Sequence, residues 1–115
     1  MRDLGRAVEA GAVVLALERL GFTQKTLAWV TAATERSVRN WRTTSAIRPR
    51  FAERIWDVRE IALLLDGSLS PRGIVQWFTA RNRVLDGKRP VDVLRSGGMD
   101  AVRKAAGSFV DGEYV

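Results

Sequence analysis

The run from Thr23 to Arg42 constrains the fold more than any other part of this chain. It reads as two short helices joined by a tight turn, the second opening at Thr34. Leu27 and Val30 are placed to pack the first helix inward. Ala28 is small enough to let the two helices approach. Thr34 is a good N-cap, because its hydroxyl can accept from an orphan backbone N–H of the first turn. Val38 and Trp41 lie three residues apart, so they share the face that holds the second helix on the core. Ala32 stands in the turn, where glycine is the commoner choice. Thr31 falls where an apolar residue is usual, and Ala33 where a larger aliphatic is. These departures predict a looser turn.

The outward positions are rich in hydrogen-bond donors. The second helix presents Glu35, Arg36, Ser37, Arg39, Asn40 and Arg42. Arginine can bridge two guanine acceptors and asparagine can pair with adenine. Gln24 and Lys25, at the start of the first helix, suit contacts to phosphates. From Thr23 to Arg50 there are six bases against one acid, Glu35. The expected DNA-contacting set is therefore Gln24, Lys25, Thr34, Arg36, Ser37, Arg39, Asn40 and Arg42. A hairpin that only packs has the same periodicity; the clustering of bases favours DNA.

Composition narrows the remaining choices. The chain has 115 residues, 46% of them hydrophobic, and a net charge of +6. That is enough apolar material for one compact unit or two small lobes sharing a core. With no Cys and no His, disulfides, thiolate and imidazole chemistry and ordinary zinc sites are excluded. No carboxylate pair, nucleophile or phosphate loop stands out, so no catalytic residue, metal or cofactor is expected. The longest apolar run, Ala10 to Leu17, is too short to span a bilayer, which takes about 20 residues. The chain reads as soluble and cytoplasmic, with no membrane partner.

Helical spacing recurs throughout and period-two alternation is missing, which predicts an all-α fold. A first helix is expected over Leu4–Leu20, with Val8, Ala12, Leu15 and Ala16 as a stripe and Gly21 as its stop. Pro49 starts a helix running to about Leu65. Ser70 and Pro71 open another, with Ile74, Trp77 and Phe78 facing inward. Asp86-Gly87 is a turn, Pro90 starts a short helix, and a last helix begins near Met99. Asp66-Gly67-Ser68 marks a soft boundary, giving an N-terminal helix-turn-helix bundle over 1–66 packed against a small helical lobe over 67–115. Arg81, Arg83, Lys88 and Arg89 read as solvated.

The first signature resembles the Xre-type helix-turn-helix, carried by Gln24, Leu27, Ala28, Val38 and Trp41. A second signature lies in Trp77, Asn82, Leu85, Gly87, Pro90, Leu94, Gly98, Val102 and Gly112. It resembles the toxin-binding domain of the Xre/MbcA/ParS antitoxin family. The two signatures cover nearly the whole chain in that family's order. The resemblance implies a non-enzymatic antitoxin that neutralises a RES-domain, NAD-degrading toxin by covering its active-site entrance. It also implies repression of its own operon. Trp77, Arg81, Asn82, Phe109, Asp111, Gly112, Glu113, Tyr114 and Val115 become the expected toxin contacts. The last eight residues carry charge only at Asp111 and Glu113, which suits basic groups in a dinucleotide site. Expected partners are a cognate toxin, operator DNA, and a second copy, because helix-turn-helix proteins usually read two half-sites; larger assemblies with toxin would follow. A stand-alone regulator whose second half only dimerises shares the first signature.

Overall fold

Side-chain caps and prolines set where the helices begin. A computed structural model of the chain describes residues 4–5, 9–43 and 46–112, and shows seven helices and no strand among them. Thr23 accepts from the Thr26 amide and opens α2, Gln24–Thr31. Thr34 accepts from the Ser37 amide and opens α3, Glu35–Trp41. Pro49 occupies the first position of α4, Pro49–Leu65. Ser70 accepts from the Gly73 amide and, with Pro71, opens α5, Pro71–Thr79. Pro90 starts α6, Pro90–Arg95, and α7 is Met99–Val110. Proline serves at these starts because its missing N–H would have no intrahelical partner there.

The first helix differs from expectation. Leu4 and Gly5 are helical, but Glu9 is extended (φ −78°, ψ 139°), and α1 spans Ala10–Leu20. Glu9 thus interrupts the path. Its buried face is Ala10, Val13, Val14, Ala16 and Leu17, while Ala12 and Leu15 are exposed. The apolar residues wrap much of the helix, and the core takes the broader side of them. Val8 lies outside the described residues.

A single hydrophobic core runs through both halves of the sequence. It joins Val13, Val14 and Leu17 of α1, Leu27 and Val30 of α2, Ile55, Ile61 and Leu65 of α4, Phe78 of α5, Leu94 of α6 and Val102 of α7. The chain passes Asp66-Gly67-Ser68 without any break in that packing. Phe22, at the α1–α2 corner, meets Phe78 edge-to-face at 5.1 Å. Helix α2 lies against α3, α4 and α6, and α4 lies against α1 and α7. The Cα radius of gyration is 13.2 Å, the size of one packed body of this length. No described helix is long and apolar enough to cross a membrane.

The turn between α2 and α3 is closed, contrary to the looser turn expected. Ala32 adopts the left-handed conformation (φ 60°, ψ 33°). Its N–H donates to Trp29 O (3.1 Å) and the Ala33 N–H to Ala28 O (2.9 Å), which is the Schellman pairing. Thr31 is buried, and its hydroxyl donates to Leu27 O at 2.7 Å. The polar atom is satisfied within its own helix, so the position tolerates threonine.

Candidate partner-binding surfaces

The exposed side of α3 gathers the expected DNA contacts. Arg36, Arg39 and Asn40 are exposed, and Lys25 is exposed at the start of α2. Gln24 and Ser37 are half-buried. Thr34 is exposed but occupied as the cap: it accepts from the Ser37 amide and donates to Ser37 Oγ, both at 3.0 Å. Arg42 turns back toward α1, its Nε 3.6 Å from Glu18 Oε1. That carboxylate oxygen is buried without a hydrogen bond, and Arg42 supplies it a compensating charge. Trp41 anchors α3 from below, stacked at a tilt on Phe51 with centroids 5.5 Å apart.

The second set is more divided. Trp77 is half-buried and meets Phe78 edge-to-face at 5.6 Å. Arg81 is exposed and makes a long contact from Nη1 to Gly87 O, 3.5 Å. Asn82 is buried and holds its own turn. Its Oδ1 accepts from the Val84 amide (2.9 Å), its N–H donates to Lys88 O, and its carbonyl accepts from the Leu85 and Gly87 amides. A 3-10 turn, Arg83–Leu85, follows it, and Asp86 and Gly87 both take positive φ. Phe109 is half-buried against the core. Asp111 and Gly112 are exposed just beyond α7. Glu113, Tyr114 and Val115 lie outside the described residues.

Gly98 has a packing reason to be glycine. Gly97 (φ +88°) and Gly98 end α6 with bonds to Leu94 O and Val93 O. A Cβ on Gly98 would stand 2.6 Å from Val93 Cγ1 and 3.1 Å from Val93 O. The backbone therefore turns straight from α6 into α7 only with nothing there.

A network that no sequence pattern announces ties the α2–α3 hairpin to α6. Trp29 is 45% exposed, yet two residues of the second half hold it. Its Nε1 donates to Asp92 Oδ1 at 2.7 Å. Arg95 lies over its ring, 3.9 Å from the centroid, and donates from Nη1 to Trp29 O at 2.8 Å. Arg89 grips Asp92 through Nε and Nη2, at 2.9 and 2.8 Å. Arg89 is thus paired, not merely solvated as expected. Those bonds hold the Asp92 carboxyl below its usual range, chiefly through Arg89, with the Trp29 N–H adding to it. The one sequence signal was an outward tryptophan on an amphipathic helix. Elsewhere, burial pushes the Asp57 carboxyl up despite the Arg54 contact at 2.7 Å. Arg103 bridges α7 to Glu60 of α4 at 2.6 Å.

An open cleft of about 570 Å3 lies beside this network. Lys25, Thr26, Thr34 and Glu35 line it from the hairpin, and Arg89 and Arg95 from the second half. Among the described residues, no group of three acids is arranged to hold a metal ion.

The described residues form a small all-helical protein. Comparison with known proteins narrows the class. The probable mycobacterial cidal antitoxin Rv3188 of Mycobacterium tuberculosis H37Rv is 50% identical over 112 residues, covering 97% of this chain and 96% of that protein. The mycobacterial cidal antitoxin MbcA of the same strain is 27% identical over 113 residues, covering 97% and 100%. A chain in the crystal structure of the M. tuberculosis MbcT–MbcA toxin–antitoxin complex shares the fold, with a TM-score of 0.79 and 24% identity over 95% of this chain and 100% of that one. No protein-family model matches. The chain belongs to the mycobacterial cidal antitoxins of the MbcA type.

Proposed function

We propose that this chain neutralises a cognate RES-domain toxin, an enzyme that degrades NAD, by covering its active-site entrance. The observation that carries the reading is the 50% identity to a probable cidal antitoxin along almost the full length of both chains. The chain itself needs no catalytic role. Trp77, Arg81, Phe109 and the tail from Asp111 to Val115 form the contact set, with Asn82 shaping the turn beside it. Inhibition of this kind rests on steric exclusion and a few anchors, for which aromatics are favoured. The division of labour follows the sequence: residues 1–66 meet DNA and residues 67–115 meet the toxin.

The DNA reading is supported by the exposed Arg36, Arg39 and Asn40 on one short, capped helix. That helix enters the major groove of an operator half-site, as in other helix-turn-helix proteins. Pairing of two copies supplies the second half-site, and the toxin enlarges the assembly.

The test is a pull-down of the tagged chain from its native host, with partners identified by mass spectrometry. A stoichiometric small RES-like protein is expected. Co-expression of that protein with this chain should restore growth and NAD levels, and deletion of Gly112 to Val115 should lose the rescue. If only this chain and DNA are recovered, the stand-alone regulator replaces the antitoxin reading. For DNA, Arg36→Ala with Arg39→Ala should abolish sequence-specific retention of duplex from upstream of its own gene.

A further inference from the structure

We propose that the cleft between the hairpin and α6 seats a backbone phosphate of duplex DNA, so that Arg95 and Arg89 extend the DNA footprint into the second half of the chain. This rests on the DNA reading above. Three cations line the cleft, Lys25, Arg89 and Arg95, against one acid, Glu35. Lys25 is exposed, and its side chain makes no hydrogen bond or ion pair among the described residues. Its charge is free for a ligand.

Arg95 is the preorganised member. Its guanidinium is held over the Trp29 ring and spends Nη1 on Trp29 O. An arginine fixed in this way loses little further freedom when it binds, and its remaining donors match the fork geometry of a phosphate. Arg89 is a lesser contributor, since Asp92 takes two of its donors. Asp92 also sits at the Nε1 edge of the ring and offsets part of the charge.

The cleft is continuous with the face expected to read bases. Thr34 and Glu35, which line it, begin the helix that carries Arg36 and Arg39. A phosphate gripped beside the first turn of a reading helix fixes that helix's register on the duplex without carrying sequence information. The partner is therefore the DNA backbone, in preference to an acidic protein segment. Recognition of DNA would then depend on both halves of the chain.

The experiment uses the full chain and two duplexes, one from upstream of its own gene and one of scrambled sequence. Affinity is measured from 50 to 200 mM salt for the wild type, Lys25→Gln, Arg95→Gln and the double variant. Near-UV circular dichroism monitors the fold, and Lys25→Gln alters no internal contact. Each single change should flatten the slope of log K against log salt by up to about 0.9, the value for one phosphate on B-DNA. The double variant should flatten it by about the same total, because both residues hold one phosphate. Preference for the cognate duplex should not change. Unaltered slopes, alongside loss of binding by the Arg36/Arg39 variant, would overturn the cleft assignment and leave the DNA reading standing. Loss of toxin capture by Lys25→Gln with DNA slopes unaltered would reassign the cleft to protein and equally overturn it. No binding of either duplex by the wild type would remove both.

Discussion

Replacing Ala32 with glycine should stabilise this protein. Ala32 sits at φ 60°, ψ 33°, exposed, between α2 and α3. In that conformation a Cβ crowds the following carbonyl, at a cost of about 1–2 kcal/mol. Glycine removes the crowding but widens the freedom of the unfolded chain, which returns about 0.4–1 kcal/mol. The Schellman bonds at Trp29 O and Ala28 O use backbone groups only, so they survive the change. The net gain is about 0.5–1 kcal/mol. For a chain of this size that amounts to a rise in Tm of roughly 2–5 °C. Differential scanning calorimetry, with urea titration as a second measure, would detect it. An unchanged or lower Tm would show that the turn carries no left-handed strain, and the account of why alanine suffices there would fail.

Gly98→Ala should act in the opposite sense. The 2.6 Å approach to Val93 Cγ1 and 3.1 Å to backbone must be relieved by moving α6 against α7, at about 1–3 kcal/mol. A urea midpoint equal to the wild type would contradict it. Asp92 and Asp57 should show opposite pH behaviour. Asp92 titrates below the ordinary carboxylate value, so its stabilisation is complete above about 3.9 and disappears as pH falls through its folded pKa. Asp92→Asn should therefore cost under about 1 kcal/mol at pH 7, and the deficit should shrink on acidification below pH 4. A deficit that stays constant down to pH 3 counts against the Arg89 pairing. Burial raises Asp57, so ionising it weakens the folded state. Asp57→Asn should be neutral or stabilising at pH 7, with the difference closing as pH falls through the raised value. Clear destabilisation at pH 7 would show that the Arg54 contact outweighs burial.

Helix starts were legible because they are written in single residues. Thr34, Pro49, Ser70, Pro71 and Pro90 each act on their own first turn, and the structure uses each as read. The exposed arginines of α3 were legible for the same reason, since a local period places them. The interruption at Glu9 was not, because nothing nearby forbids a helix there. The Trp29 network was invisible for a different reason. Its members are 63 and 66 residues apart in sequence, and no local pattern says that an outward tryptophan will meet an aspartate from α6. Asn82 shows the converse: the motif position was legible, but its burial depends on the turn that it organises.

Helix α2 rests on α6 as well as on α3 and α4. During synthesis the hairpin is complete once Arg42 leaves the ribosome, but its seat is not. Trp29 has neither Asp92 nor Arg95 to grip until most of the chain has emerged. Closure over so many residues is a slow, late kind of event. An incomplete chain thus presents a half-seated hairpin, and a cut between α4 and α6 that lets the fragments separate would undo the first half along with the second. For this molecule a single scission after Leu65 takes from Trp29 both of the side chains that grip it from α6, so damage in one half of the sequence is felt in the other.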